Sequence, residues 1–217
     1  MKLSSVVRTW LAPTAAVTLL WVAVFFYLAN DRANQMANGR ITTANLAQAL
    51  EESLVRTIRE VDQTLLYIRA LRARDGSVDL KPWIEAADPE NRLAAQVATT
   101  DRNGIVTLSN LRPPTKHIDL SDRAHFRHFA DHPDDHLYIS VPVLGRVSNM
   151  WTIQFVRMLK TAAGAFDGII VLSVPPDHLV RFYKAIHIGT YGRISVIGTD
   201  GVILARAGSG LKVGAKA

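Results

Sequence analysis

The sequence predicts an α+β protein carried on a membrane-crossing helix, and three observations lead there. Residues 10–28 read WLAPTAAVTLLWVAVFFYL without a charge. Residues 31–74 hold no proline and one glycine, Gly39, with apolar side chains at helical spacing. Beyond residue 75, strand-like runs alternate with turn signals and short helical stretches.

The uncharged run spans about 28 Å at the helical rise, close to the hydrocarbon thickness of a bilayer. Trp10 and Tyr27 stand near its two ends, where amphipathic rings favour the headgroup level. Pro13 is expected in the first helical turn, where its missing N–H costs little. A cleaved signal peptide is the rival reading. The run is longer than a typical signal core, and Ala37-Asn38-Gly39 lies too far downstream to be its cleavage site. An uncleaved, single-pass anchor is therefore expected. Lys2 and Arg8 precede it and Arg32 and Arg40 follow it, a slight bias toward N-terminus in and bulk out.

In the stalk, Leu50, Leu54, Ile58, Val61, Leu65 and Ile68 are separated by four, four, three, four and three residues. That spacing makes one stripe on a helix and approaches a heptad seam. The stripe suits packing on the following domain, on a partner chain, or on both. Asp75-Gly76 ends the helix, Lys81-Pro82-Trp83 opens a new segment, and a helix is expected around Asp88-Pro89.

Residues 96–100 and 105–109 read as a hairpin around Asp101-Arg102-Asn103-Gly104, with the Asn-Gly pair supplying positive φ angles. Residues 121–130 read as a short helix with Ser121 as N-cap. Strands are expected over 137–144, 150–159 and 166–174, then a helix over 177–186 introduced by Pro175-Pro176. Hairpin-type connections predict an antiparallel sheet of about five strands with helices packed on it. Residues 193–198, Thr199-Asp200-Gly201 and 202–205 repeat the pattern of 95–109. They are expected to open a second, similar domain before a Gly-rich tail. The predicted organisation is an anchor (1–30), a stalk (31–74), a sensor-sized domain (75–190) and the start of a second (191–217).

Composition narrows the function. Apolar residues make up 48% of the chain, and there is no cysteine, which excludes disulfides and thiolate metal sites. The net charge of +6 comes from arginines spread among acidic residues without a Lys/Arg run, unlike a nucleic-acid surface. No nucleophile elbow, phosphate-cradling glycine loop or HExxH helix occurs. No enzymatic activity and no cofactor are expected.

Strand alternation sorts the side chains of residues 150–159. Trp151, Ile153, Phe155 and Arg157 share one face, and Thr152, Gln154 and Val156 the other; Tyr138 and Ser140 pair similarly on their strand. Trp151 and Phe155 read first as core. Arg157 ends an apolar face and needs an anion. Arg146, in the Gly145-Arg146-Val147-Ser148 turn, suits either covering a pocket from a loop or a solvated position. Five of the seven histidines fall between His117 and His136. His125, His128 and His132, with Asp131, Asp134 and Asp135 beside them, offer an alternative metal or proton-responsive cluster. The plainer reading is a solvated loop around His132-Pro133.

The runs DLSDRAHFRHFADHPDDHLYISVPVLGRVSNMWTIQFVRML, DGIIVLSVPPDHLVRFYKAI and RISVIGTDGVILAR carry a family likeness. They resemble the double Cache (PDC-type, PAS-like) sensor domains of bacterial membrane receptors, histidine kinases and diguanylate cyclases among them. The likeness covers about residues 31–206 and is most specific over 119–157. It implies an anchor, a stalk helix, a membrane-distal PAS-like domain, a membrane-proximal one, a second span and a cytoplasmic output module. The chain supplies the first three and the start of the fourth, so it reads as the front portion of a receptor in the bacterial inner membrane, with its sensor domain periplasmic.

The resemblance also implies a ligand site. Arg123, His125 and Phe126 match the positions at the short helix that hold a ligand carboxylate, a role suited to the guanidinium fork. The bland alternative for Arg123 is a surface ion pair with Asp119 or Asp122. Ser173 stands where an aspartate would hold a ligand's amino end. Without that carboxylate an ammonium lacks its counter-charge, which favours a simple acid or a neutral ligand. The expected ligand-binding set is Arg123, His125, Phe126, Tyr138, Arg146, Trp151, Arg157 and Ser173, taking a small, anionic molecule. The expected partners are that ligand, the membrane and a second copy through the stalk helix. The remaining alternative is a tethered dimerisation module without ligand.

Overall fold

The computed structural model describes residues 3–76, 95–111, 117–181, 192–208 and 213–216. Two compact units are present, Met1–Ser53 and Leu54–Ala217. The segment at 81–83 and the helix expected around 88–89 lie outside the described residues, as do 182–186 of the expected last helix.

The first unit is helical. It holds most of α1 (Leu3–Asp75), the one helix among the described residues that is long and apolar enough to cross a membrane. Leu19, Trp21, Phe25, Phe26 and Tyr27 are all exposed, which water would penalise and hydrocarbon would not. Thr14 and Thr18 donate their hydroxyls to the carbonyls of Trp10 and Thr14, four residues back, so neither O–H faces lipid without a partner. Pro13 lies inside the helix and not in its first turn, because α1 already begins at Leu3. One backbone hydrogen bond is lost there.

The second unit is built on a six-stranded antiparallel sheet. Its strands are β1 (Gln96–Thr100), β2 (Val106–Ser109), β3 (Tyr138–Ile139), β4 (Val143–Leu144), β5 (Trp151–Lys160) and β6 (Phe166–Val174). The spatial order is β2-β1-β6-β5-β3, with β4 also paired to β5. The strand expected over 137–144 is two short pieces, interrupted at the buried Pro142, which has no N–H for a ladder. In the β1–β2 connection only Gly104 has positive φ, +85°. The loop is closed by Asp101, whose carboxylate accepts the N–H groups of Asn103 and Ile105. A side-chain turn replaces the Asn-Gly turn.

One sheet face is apolar and covered by α1. From Leu54 onward the helical stripe packs on it: Val61, Leu65 and Ile68 are buried against Val97, Ile153, Phe155, Ile170 and Leu172. The heptad-like seam thus serves the chain's own sheet. A bidentate ion pair crosses this interface, with Arg157 Nε and Nη2 donating to the Asp62 carboxylate at 2.7 and 2.8 Å.

The hairpin of β7 (Ile194–Ile197) and β8 (Ile203–Ala207) is a separate two-stranded sheet. Its Val196, Ala205 and Ala207 join the core under α1, together with Leu179 of the short helix α3 (Pro176–Leu179). Of the tail, Lys216 bridges to Val202, and the Ile203 N–H donates to the Ala215 carbonyl.

The opposite sheet face carries α2 (Ala124–Asp131). Phe126 and Phe129 pack on Val156, Met158, Ile169 and Val171. Arg123, not Ser121, is the N-cap, and no side chain caps the helix. Gly168 belongs to the β6–β1 contact: at φ +109° a Cβ there would lie 2.3 Å from the Thr100 carbonyl oxygen, so only glycine fits.

Candidate functional site

Because residues alternate across a strand, the face opposite α1 receives Gln96 and Ala98 from β1, Val171 and Ser173 from β6, and Gln154 from β5. Register aligns three of them, since Gln96 is opposite Ser173 and Ser173 is opposite Gln154. A polar row therefore crosses three adjacent strands in the middle of the sheet. All three are buried, at 5%, 4% and 4% exposure.

Above this row lies a cleft of about 390 Å³, open mouth included. Its floor is the polar row with Ala98 and Val171. Leu120, Arg123 and His125 form its roof at the start of α2, and Val143 to Val147 form its side. Gly104 helps to place the roof: its carbonyl accepts the Leu120 N–H, and a Cβ on it would strike the Ser121 backbone.

The hydrogen-bond chain of the floor is nearly closed. Gln154 Nε2 donates to Thr152 Oγ1 at 2.7 Å, and Gln154 Oε1 accepts the Ser173 hydroxyl at 2.7 Å. Gln96 Nε2 donates to Ser109 Oγ at 3.3 Å. Ser140 Oγ accepts the Gln154 backbone N–H at 2.9 Å, fixing β5 beneath the cleft.

The roof differs. Arg123 donates Nη2 to the Leu144 carbonyl at 3.2 Å and makes no salt bridge among the described residues. Arg146 is the arginine that meets the nearby acids. It donates to both Asp122 oxygens at 2.6 Å and to the Asp119 carbonyl, and that contact holds the Asp122 carboxyl below its ordinary range. The ion pair weighed for Arg123 thus belongs to Arg146. His125 is 5% exposed, and its ring makes no hydrogen bond among the described residues. Burial, with the Arg123 charge adding to it, pushes its pKa down to about 4. The imidazole is neutral at neutral pH, with one ring nitrogen a donor and the other an acceptor. Among the described residues no Asp or Glu lines the cleft.

Four of the eight residues expected at a ligand site come together here: Arg123, His125, Arg146 and Ser173. The other four do not. Phe126 turns into the core under α2, with its ring 5.7 Å from that of Phe166. Tyr138 packs on His128, centroids 4.5 Å apart. Trp151 is 61% exposed on β5 opposite Leu144. Arg157 finds its anion in Asp62, on the far face. Gln96 and Gln154 also line the cleft without having been expected there; the signal for Gln154 is a long polar side chain between Thr152 and Val156 on the face opposite Ile153 and Phe155.

The histidines separate as well. His125 enters the cleft, His128 Nε2 lies 2.8 Å from His136 Nε2, and His132 follows the end of α2 with non-helical dihedrals. Among the described residues no three His, Asp or Glu side chains gather for a metal. Asp135, beyond α2, accepts Arg69 Nη1 of α1 and Lys160 Nζ, each at 2.7 Å. These contacts, Arg69 first, hold its carboxyl far below the usual range. The segment after α2 is thereby tied to both α1 and β5.

Solved structures that share this architecture include extracellular and ligand-binding domains of receptors. An extracellular domain assigned to a histidine kinase, rpHK1S-Z16, aligns at TM-score 0.70 and 28% identity, over 79% of this chain and 71% of that one. The fold is that of a Cache-type sensor domain. An extracellular ligand-binding receptor from Desulfohalobium retbaense shares the fold at TM-score 0.57 and 16% identity, over 76% of this chain and 32% of that one. So does the ligand-binding domain of the Pseudomonas aeruginosa amino-acid chemoreceptor PctC, solved with GABA, at TM-score 0.53 and 13% identity over 70% of each chain. No family model and no curated protein matches the sequence. The Cache-type domain of this chain places its cleft between the sheet and the start of α2.

Proposed function

We propose that this Cache-type domain is the extracytoplasmic sensing part of a membrane receptor and binds a small anionic molecule in the cleft beneath α2. The observation that carries the reading is Arg123: a half-buried guanidinium at the edge of a concave site, without a carboxylate partner among the described residues, in a cleft that no acid among the described residues lines. An anion supplies what that group lacks, through charge-assisted hydrogen bonds. Small organic acids suit that charge.

Fold sharing with domains assigned to a histidine kinase and a chemoreceptor supports the receptor role. The apolar segment of α1 supports attachment to the membrane. Ligand contact at Arg123 bears on α2, and the segment after α2 is tied through Asp135 to Arg69 of α1. A ligand that favours one setting of this connection would shift the population of α1 states. Homodimerisation, if it uses the stalk beyond Leu54, engages the outer face where Val55 and Tyr67 are exposed.

Thermal-shift screening of the full chain in lipid nanodiscs against small organic acids tests the proposal. At least one acid is expected to raise the melting temperature in wild type and not in Arg123→Ala. Absence of any acid response, or an equal response in the variant, defeats it.

A further inference from the structure

The open hydrogen-bonding groups of the cleft are not equivalent, and their difference describes the far end of the ligand. The roof supplies a charged donor, Arg123. The floor supplies neutral oxygen acceptors. Ser173 has committed its proton to Gln154 Oε1, so its Oγ keeps only lone pairs. Gln96 uses its amide nitrogen toward Ser109, and its Oε1 has no partner among the described residues although the residue is 95% buried. That oxygen is open to the cleft and not sealed within the protein, so a ligand that donates there gains a hydrogen bond that one without a donor does not.

Three ligand groups can be weighed against this floor. A second carboxylate only accepts, so it could take the remaining amide hydrogens of Gln96 and Gln154 but would leave Gln96 Oε1 and Ser173 Oγ without a donor. An ammonium donates, but its charge would be desolvated in a cleft lined, among the described residues, by two arginines and no acid. A hydroxyl donates to Gln96 Oε1 or Ser173 Oγ, accepts from a remaining amide hydrogen of Gln96 or Gln154, and carries no charge. We propose that the cleft selects a small hydroxy-carboxylate, with its carboxylate on Arg123 and its hydroxyl on the Gln96–Ser173–Gln154 row. This rests on the anionic-ligand reading above and sharpens it.

The test is isothermal titration of the full chain in nanodiscs with matched three- and four-carbon acids bearing hydrogen, hydroxyl, ammonium or carboxylate at the second or third carbon. A hydroxy acid is expected to bind at least about 10-fold tighter than its unsubstituted, amino and dicarboxylate counterparts. Gln96→Leu should abolish that preference while retaining the unsubstituted acid. Gln96→Glu, nearly isosteric, should move the preference toward the amino acid, which keeps the test usable if the leucine variant does not fold. Equal affinities, or an amino or dicarboxylic acid binding tightest to wild type, overturn the hydroxyl assignment and leave the anionic site standing. If no member binds in an Arg123-dependent way, the anionic reading falls with it.

Discussion

The two faces of the central sheet come from alternate residues of the same strands, yet they are completed in opposite ways. On one face Ile153, Phe155, Ile170 and Leu172 meet the α1 stripe, and the charge of Arg157 is matched by Asp62. On the other, Gln154, Ser173 and Gln96 lie in a row under Arg123 and His125, with acceptors and donors left open. A face whose polar groups find partners within the chain contributes stability. A face whose polar groups keep some capacity open to a cleft offers a place for something else to complete them.

Substitutions on the two faces should therefore separate stability from binding. The largest effect is expected from Leu65→Ala, which removes a fully buried side chain of the α1 interface. It should cost about 2–5 kcal/mol in denaturant unfolding and leave ligand affinity unchanged where the protein is folded. Arg157→Ala should cost roughly 2–4 kcal/mol, because it strands Asp62 at a half-buried interface. A double-mutant cycle with Asp62→Ala should recover part of that loss; simple additivity would deny the pair its structural role.

His125 gives the comparison a pH dependence. Unfolded, its imidazole binds a proton near pH 6.5, whereas folded it refuses one until about pH 4. Its contribution is complete above pH 6.5 and is lost as pH falls toward 4, amounting to roughly 3 kcal/mol. His125→Asn should flatten the stability profile between those values relative to wild type. An unchanged slope would mean that the ring is not buried as described. The smallest effect belongs to Trp151→Ser: at 61% exposure the ring contributes little, and stability should stay within about 0.5 kcal/mol.

The parts of this fold that follow from periodicity were legible in the sequence. The 3.6-residue stripe from Leu54 to Ile68 gave α1, and period-two alternation placed Ile153 and Phe155 inside and Gln154 on the other face. Boundaries failed where one residue outweighed the pattern: Pro142 split a strand, and Asp101 closed a turn that Asn103-Gly104 was expected to make. The site was half legible. Residue type marked Arg123 and Arg146 equally, but only packing shows that Arg146 meets Asp122 and Arg123 does not. Phe126 sits one position from His125, and a helix turns adjacent residues about 100° apart, so one enters the cleft and the other the core. The Gln96–Ser173–Gln154 row depends on register between strands far apart in sequence, which no local pattern records.

The most direct test compares Arg123→Ala with Arg157→Ala in the full chain in nanodiscs, titrating each with an acid that binds wild type and melting each without it. Arg123→Ala should keep its stability within about 0.5 kcal/mol and lose roughly 10- to 100-fold in affinity. Arg157→Ala should lose stability and keep its affinity. If affinity instead depends on Arg157, or survives the loss of Arg123, the ligand does not sit on the polar face of the sheet.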